Sequence, residues 1–242
     1  MGILDFFGGG SPDEKARKLK AKVTQKYGDA TTRQKAIQQL GEMKTPEAVR
    51  SLLARFTVNV DPHTTDADEK EHTFSLITGF KQDAVEPVKE FLFKSDQASS
   101  WAVRLLRELV PEDELVGAVI EALRRVGNEY TRDPEKKVVL IQALAAGQDA
   151  RIPDALVPFL EDPSDDVKIA ALGALGARKH EPGREPMLQV LTSDETARRV
   201  KTAAIAALHE AGFGVQGYRP KVETELKDPW FLDGNGVIKK RE

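Results

Sequence analysis

Apolar residues recur along the chain in a pattern that predicts repeated α-helices. The pattern Val-Lys-x-x-Ala-aliphatic-x-Ala-Leu is clearest at residues 167–175 and 200–208. Weaker copies begin at Thr32, His72, Trp101 and Lys136. Successive copies begin 40, 29, 35, 31 and 33 residues apart, a spacing that is typical of helical repeat proteins.

Three positions of each copy share one face of the predicted helix, because residues i, i+1 and i+4 lie close together at 3.6 residues per turn. Position five holds Ala36, Leu76, Leu105, Leu140, Ala171 and Ala204. Position six holds Ile37, Ile77, Leu106, Ile141, Leu172 and Ile205. Position nine holds Leu40, Phe80, Leu109, Leu144, Leu175 and Leu208. We therefore expect these three positions to form the buried stripe of each helix.

A second set of segments with helical apolar spacing lies between the copies. These segments begin at Pro46, Asp83, Glu112, Arg151, Gly183 and Arg219. The sequence Asp-Pro-Ser-Asp-Asp at 162–166 joins one of them to the next copy, and it predicts a helix stop followed by a helix N-cap. The repeating unit is therefore a pair of antiparallel helices of about 33 residues. We call the helix that carries the Val-Lys pattern the second helix of its pair.

This unit resembles the HEAT repeat, in the short bacterial form often labelled PBS-lyase HEAT-like. The resemblance is carried by the Asp-Pro turn at 162–163, the Val-Lys pairs at 167–168 and 200–201, and the Ala-Leu pairs at 174–175 and 207–208. It covers roughly residues 30–228. It implies an all-α fold, namely a right-handed α-solenoid (an α-α superhelix) of about six helix pairs, with the second helices lining the concave face.

The two ends of the chain depart from the repeat. Ser11, Pro12 and Glu14 form a capping box that opens a helix, and its apolar stripe is predicted to hold Ala16, Leu19, Val23 and Tyr27. The four predicted segments are 1–10, a flexible apolar N-terminal segment; 11–28, an N-terminal capping helix; 29–227, the HEAT-repeat solenoid; and 228–242, a C-terminal cap with a basic tail. Within the last segment, residues 232–238 predict a tight turn between two short extended pieces.

Composition narrows the function classes. Cysteine is absent, which excludes disulfides and thiolate chemistry. The net charge of −3 argues against binding nucleic acid over the whole surface. No apolar run approaches the length that spans a bilayer, and residues 1–10 lack the basic and long apolar regions of a secretory signal. We expect a cytoplasmic protein of bacterial type.

Candidate catalytic and ligand motifs are weak. The pattern G-x-G-x-x-G at 212–217 follows a predicted helix rather than a strand, so Gly212 is better interpreted as a helix C-cap. The loop at 58–70 carries Asp66, Asp68 and other acids beside His63 and His72, which would suit either a divalent metal or a solvated acidic loop with an aspartate N-cap. We favour the solvated loop and expect no metal and no cofactor.

One enzyme family with this repeat, deoxyhypusine hydroxylase, binds two irons through His-Glu pairs that open several of its second helices. In this chain the corresponding positions hold pairs such as Lys168-Ile169 and Lys201-Thr202. His180-Glu181 and His209-Glu210 instead lie near or beyond the ends of their helices. The resemblance therefore implies no iron site here.

The second position of the repeat carries a basic column of Arg33, Lys137, Lys168 and Lys201. A cation in the first turn of a helix opposes the helix dipole, so an acidic group should compensate it. One interpretation is a structural ladder in which each base pairs with an aspartate of a neighbouring turn, such as Asp165 or Asp166. The other is a basic stripe that binds an acidic partner.

Other candidate contact residues combine aromatic and basic side chains. Trp101 is followed by Arg104 and Arg107, and tryptophan and arginine are the usual anchors of interfaces; alternatively, Trp101 fills a gap where the repeat interval shrinks. Near the N-terminus, four large apolar residues precede a triple glycine, and they could dock on a partner, on a membrane surface or on the solenoid. They are Ile3, Leu4, Phe6 and Phe7. Residues 15–26 carry six bases and no acid, which suits either a solvated outer face or an anionic surface.

These observations predict a non-enzymatic scaffold or adaptor that binds a protein through the concave face of a HEAT-repeat solenoid. The expected partner-binding residues are Trp101, Arg104, Arg107, Lys137, Lys168 and Lys201, with Ile3, Leu4, Phe6 and Phe7. The alternatives are an enzyme of the HEAT-like class, resembling a bilin lyase or a DNA glycosylase, or a peripheral adaptor at a membrane surface. Fold alone does not decide among them. We expect no nucleic-acid partner and favour a protein over a membrane.

Overall fold

A computed structural model describes residues 11–241, which fold into two compact units. The first unit ends at Leu115 and the second begins at Val116, within helix α7. Helices of the first unit are α1 (Pro12–Val23), α2 (Ala30–Met43), α3 (Pro46–Leu53), α4 (His63–Gly79), α5 (Gln82–Lys94) and α6 (Ser99–Leu109), followed by α7 (Glu112–Val126). The second unit contains α8 (Glu135–Ala145), α9 (Ile152–Leu156), α10 (Asp165–Gly176), α11 (Arg184–Thr192), α12 (Arg198–Ala211) and α13 (Arg219–Glu225), then β1 (Trp230–Leu232) and β2 (Ile238–Lys240).

The first unit is a stack of helix pairs in two layers. The second helices form one layer, in which α4 packs against both α2 and α6. In the other layer α3 packs against α1 and α5. Helix α1 contacts both α2 and α3, which is the position expected of a capping helix at the end of a stack.

The second unit has the same layered arrangement and ends in a hairpin. Helix α10 packs against α8 and α12, and α11 packs against α12 and α13. Strands β1 and β2 pair antiparallel with Leu232 opposite Ile238, and β2 packs against α12. The tight turn predicted between two extended pieces is confirmed. Gly212 ends α12 in the left-handed conformation at φ 72°, so its interpretation as a helix C-cap is confirmed as well.

The predicted buried stripe is present, and its sixth position is the most regular. All six residues of position six are buried. Positions five and nine are each buried in five of the six copies. The exceptions are Leu76 and Leu109, which are half-buried. The all-α class and the helix-pair repeat are thus confirmed, because three apolar positions per helix are enough to bury one face against the adjacent layers.

Two predicted boundaries are wrong. Helix α1 ends at Val23, and Tyr27 is 92% exposed instead of lying on the buried stripe with Ala16 and Leu19. The expected acidic loop at 58–70 is largely helical, since α4 begins at His63. Asp66 is not its N-cap but lies buried inside the helix, where basic side chains from neighbouring segments compensate its charge.

A buried network of ion pairs joins three segments of the first unit. The Glu69 carboxylate on α4 accepts hydrogen bonds from Arg33 Nε of α2 at 2.8 Å and from Arg55 Nε, just after α3, at 3.0 Å. Asp66 accepts from Arg55 Nη2 and pairs with Lys70 Nζ, both at 2.7 Å. Arg33, Arg55 and Glu69 have side chains at most 2% exposed. The network therefore ties α2, α3 and α4 together in an environment where screening by water is weak.

This network predicts a pH dependence of stability. Burial raises the pKa of Asp66, but hydrogen bonds from Lys70, Arg55 and the Val60 amide outweigh it, and the net pKa lies below the ordinary aspartate value. A carboxyl group with a depressed pKa in the folded state stabilises the fold above its unfolded pKa of about 3.9, and this contribution is lost as the pH falls through the folded pKa. We expect the urea midpoint of the first unit to fall on acidification below about pH 5. Asp66→Asn should be less stable at pH 7 and should lose less on acidification. If the wild type and Asp66→Asn lost equal stability on acidification, the assignment of this pH dependence to Asp66 would be contradicted.

A smaller buried pair lies in the second unit. Lys137 Nζ of α8 is 2.6 Å from Asp162 Oδ2, and their side chains are 1% and 2% exposed. The other oxygen of Asp162 accepts the Ser164 amide at 2.8 Å, so the same carboxylate also shapes the turn that leads into α10. Nearby, Arg178 donates to the main-chain oxygens of Leu144 and Gly147 at the end of α8. Both contacts bind α8 to the following repeat.

Candidate binding site

A half-exposed group of aromatic side chains surrounds Arg104 in the first unit. Trp101, in the first turn of α6, stacks on the buried ring of Phe56 with 4.7 Å between ring centroids and 16° between planes. Phe74 of α4 lies 6.3 Å from Trp101 and is tilted by 55°. Trp101 and Phe74 are both half-buried, so part of each ring surface stays in contact with solvent. We call Phe56, Glu71, Phe74, Trp101 and Arg104 the aromatic–arginine cluster.

The guanidinium of Arg104 completes this cluster. Its central carbon lies 4.1 Å from the Phe74 ring centroid and 5.1 Å from that of Trp101, within the range of cation–π attraction. Arg104 follows Trp101 by three residues, so both side chains lie on the same side of α6. Local helix geometry therefore places the cation beside the tryptophan, and packing of α6 on α4 supplies Phe74.

Glu71 holds Arg104 in position. The two terminal nitrogens of Arg104 donate to the two carboxylate oxygens of Glu71 at 2.6 and 2.9 Å, a bidentate arrangement. The hydrogen bond from Arg104 lowers the pKa of Glu71, and the hydrogen bond to Glu71 raises the pKa of Arg104. Both side chains are about half exposed, at 46% and 54%, so this pair contributes little to stability but restricts the rotamers of Arg104.

The basic column forms a ladder for three of its four members. Arg33 pairs with Glu69, Lys137 with Asp162, and Lys201 with Glu225 at 2.6 Å. The expected partners Asp165 and Asp166 are wrong, since both pair with Arg199 of α12. Lys168 is half-buried.

The assignment of Lys137 to partner binding is corrected by its burial. Its side chain is 1% exposed, and its charge is compensated by Asp162 and by the main-chain oxygen of Glu129, so it cannot reach a partner's surface. The Lys201 side chain is 13% exposed and is held by Glu225. A base in the first turn of a helix is thus accommodated by a carboxylate of the adjacent segment, which removes the conflict with the helix dipole.

The other predicted contact residues lie in different places. Arg107 is exposed on α6, one turn after Arg104. Trp230, the first residue of β1, is half-buried and meets His209 edge-on at 5.2 Å. The predicted contact residues Ile3, Leu4, Phe6 and Phe7 lie outside the described residues.

Three residues of the aromatic–arginine cluster were not predicted from the sequence, namely Phe56, Glu71 and Phe74. A signal for two of them exists, because Glu71 and Phe74 are three residues apart on α4, as Trp101 and Arg104 are on α6. The weak copy of the repeat at His72 obscured this relation, since His72 lies in the middle of α4 rather than at its start.

Within residues 11–241, no group of three or more histidine, aspartate or glutamate side chains is placed to hold a metal ion. No helix in this part of the chain is both long and apolar enough to cross a membrane.

Comparison with known families supports the repeat assignment. Residues 130–209 match the family model of HEAT repeats. This part of the chain consists of HEAT repeats. The match contains α8, α10 and most of α12, the second helices of three HEAT repeats. A comparison with curated proteins finds no significant match.

Solved structures of helical proteins are similar to the chain at low identity. Human deoxyhypusine hydroxylase in complex with glycerol shares 13% identity over 88% of this chain and 88% of its own, with a TM-score of 0.32. An engineered protein shares 20% over 81% and 96%, with a TM-score of 0.39. The complex of CpcE and CpcF of phycocyanin lyase from Nostoc sp. shares 20% over 88% and 83%, with a TM-score of 0.37. At these values the similarity carries no information about activity.

Proposed function

We propose that the chain is a binding scaffold rather than an enzyme, and that it recognises a protein partner through the aromatic–arginine cluster. The observation that carries this proposal is the position of the Arg104 guanidinium, 4.1 and 5.1 Å from the rings of two half-exposed aromatic residues. Tryptophan, tyrosine and arginine supply most of the binding free energy in protein interfaces. The helix pairs of the first unit stack in two layers, and this packed arrangement supports the cluster on its surface.

The cluster is organised before a partner arrives. Phe56 supports one face of Trp101, and Glu71 fixes Arg104 with two hydrogen bonds. Ordering a flexible side chain on binding costs about 0.5–1.5 kcal/mol, so a restrained Arg104 and a stacked Trp101 reduce that cost. Arginine has five N–H donors, and Glu71 does not use them all. We expect the partner to place a carboxylate or carbonyl oxygen against Arg104 and an apolar side chain on Trp101.

The test compares charge reversal and truncation in the cluster with a matched control. Arg50 of α3 also pairs with a glutamate of a neighbouring helix, Glu90, and is 40% exposed, but it belongs to the other layer of the unit. Arg104→Glu and Trp101→Ala should each weaken partner binding by about 30-fold or more, since truncating an interface anchor costs about 2 kcal/mol or more. Arg50→Glu should leave binding within about threefold, as expected of a charge outside the contact.

The measurement is affinity capture from the native lysate with quantitative mass spectrometry, followed by titration of the purified partner. Circular dichroism confirms that each variant is folded. Proteins retained by the wild type and Arg50→Glu but lost from both cluster variants would support the proposal. Retention of the same proteins by all four forms would refute the placement of the site, and the absence of any enriched protein would refute the scaffold function.

A further inference from the structure

A cavity of about 410 Å³ lies beside α12 in the second unit. Its volume is within the range of small-molecule sites, which is about 300–1,000 Å³. One wall is the first half of α12, including Thr202 and Ile205, and the other is the segment that runs from Glu225 through Pro229 to Trp230 of β1. All of the residues that line it belong to the second unit.

The hairpin after α13 explains why this side of α12 is open. The second helices of the unit pack against one another in order, α8 on α10 and α10 on α12. On the far side of α12 the neighbour is β2 instead of another helix. The hairpin contacts the later half of α12, where His209 Nδ1 lies 2.8 Å from the main-chain oxygen of Ile238. The cavity lies beside the earlier half of the helix, next to this hairpin.

The apolar part of the lining includes a fixed aromatic ring. Ile205 is buried, and Pro229 and Trp230 are half-buried. His209 meets the Trp230 ring edge-on at 5.2 Å, and Lys240 Nζ lies 5.7 Å from its centroid, so contacts within the fold hold the indole in place. An indole offers a flat apolar surface on which another planar ring can stack.

The two carboxylates of the lining already have cations. Glu225 accepts a hydrogen bond from Lys201 Nζ at 2.6 Å, and Asp228 accepts one from Arg241 at 3.1 Å. Their negative charge is therefore compensated within the second unit, and neither leaves a strong preference for a cationic ligand.

Two bases of the lining have no such partner. Arg198 and Lys227 are exposed, and no carboxylate among residues 11–241 forms an ion pair with either of them. The first turn of α12 contains no acidic residue, and the nearby Asp165 and Asp166 are both bound by Arg199. Positive charge is thus available at the edge of the cavity.

We propose that this cavity binds a small molecule that combines a planar ring with an anionic group, either a phosphate or a carboxylate. The ring packs against Trp230 and Ile205, and the oxyanion accepts hydrogen bonds from Arg198 and Lys227. The guanidinium fork of arginine suits both kinds of oxyanion. The inference goes beyond the proposed protein-binding function and is independent of it, because it uses no residue of the aromatic–arginine cluster.

The test is isothermal titration calorimetry of the purified 242-residue chain with adenosine 5′-monophosphate and with 2-naphthoate, each of which joins a planar ring to an anion. Adenosine and 2-naphthol lack the anion, and inorganic phosphate and acetate lack the ring. We expect at least one of the two ring-bearing anions to bind about tenfold or more tightly than its own two controls, since it gains both the stacking and the charge-assisted hydrogen bonds. The tighter of the two identifies the anionic group.

Variants of exposed residues place the ligand. Arg198→Gln should weaken binding by about tenfold, because it removes a charge-assisted hydrogen bond. Thr202→Trp puts a large side chain on the cavity wall and should weaken binding at least as much without removing a charge. The matched control is Arg132→Gln, which removes the same charge from an exposed arginine of the second unit outside the lining and should change the affinity by less than about twofold.

Circular dichroism establishes that each variant is folded, and fluorescence of Trp230 in a Trp101→Phe background should change on saturation with the ligand. Failure of both ring-bearing anions to bind, or equal binding of their uncharged controls, would overturn the proposal. Equal weakening by Arg198→Gln and Arg132→Gln, or an unchanged affinity in Thr202→Trp, would overturn the placement of the site. Binding without any change in Trp230 fluorescence would overturn the stacking on this ring.

Discussion

Replacing Glu69 with alanine should lower the free energy of unfolding of the first unit by about 3–5 kcal/mol. Glu69 is the only carboxylate bound to Arg33 within the described residues, and it shares Arg55 with Asp66. Removing Glu69 leaves the guanidinium of Arg33 almost fully buried, with only the main-chain oxygens of Gln25 and Gly28 as acceptors among the described residues. A buried charge that loses its partner keeps its desolvation cost without the compensating attraction.

The two tryptophans of the chain allow the unfolding of each unit to be measured separately by fluorescence. The chain has two tryptophans, Trp101 in the first unit and Trp230 in the second. In a Trp230→Phe background, urea unfolding followed by fluorescence therefore reports on the first unit. Glu90→Ala is the control, because Glu90 and its partner Arg50 are each 40% exposed, and it should cost at most about 1 kcal/mol. Equal losses for Glu69→Ala and Glu90→Ala would contradict the importance of burial.

The second large effect is expected at Lys137. Lys137→Ala should lower the free energy of unfolding of the second unit by about 3–5 kcal/mol, because Asp162 would be left buried without its cation and because a cavity would replace the lysine stem. Combining Lys137→Met with Asp162→Asn removes both charges and keeps most of the volume. This double variant should be more stable than Lys137→Ala, since neither group then requires a counter-charge.

Fluorescence of Trp230 in a Trp101→Phe background measures this effect. Arg219→Ala supplies the control, as Arg219 and Glu223 are 50% and 52% exposed and their pair should contribute at most about 1 kcal/mol. Lys137→Met alone keeps the same volume but leaves Asp162 charged, so a double variant no more stable than Lys137→Met would show that packing, rather than the uncompensated charge of Asp162, dominates the loss.

The two effects also bear on function. A mutation in the Glu69 network would disturb α4, which carries Phe74, and α3, which is followed by Phe56. It would therefore weaken the aromatic–arginine cluster indirectly. A mutation at Lys137 acts in the second unit and should leave the cluster intact. Comparing the two in partner binding therefore separates an effect on the site from a general loss of stability.

The repeat architecture was predictable because it depends on local periodicity. An apolar residue at every third or fourth position defines a buried helix face, whichever helix packs against it. The copies at 167–175 and 200–208 carry this signal most clearly. The weak copies were harder to place. In α4 the buried residues include Asp66, Glu69 and Thr73. A pattern of apolar residues therefore places the start of this helix too late and does not identify the side that faces inward.

Part of the candidate site was predictable for the same reason. Trp101 and Arg104 share a side of α6 by their spacing, and their residue types indicate an interface. Glu71 and Phe74 come from another helix, and their approach to Arg104 depends on how α4 packs against α6. Likewise, the sequence shows the basic column, but only packing determines that its member Lys137 is buried against Asp162. Arg107, which lies outside the column, remains exposed.

The sequence by itself thus determined the all-α class, the paired helices, the helix stop at Gly212 and the hairpin near the C-terminus. Each of these depends on the conformational preferences of neighbouring residues and on a period of 3.6. Tertiary structure alone decided which charges are paired and buried, and which aromatic rings surround Arg104. Most of those outcomes depend on contacts between residues far apart in the sequence, such as Arg55 and Glu69 or Phe56 and Trp101, whose free energies are set by burial and distance rather than by local spacing.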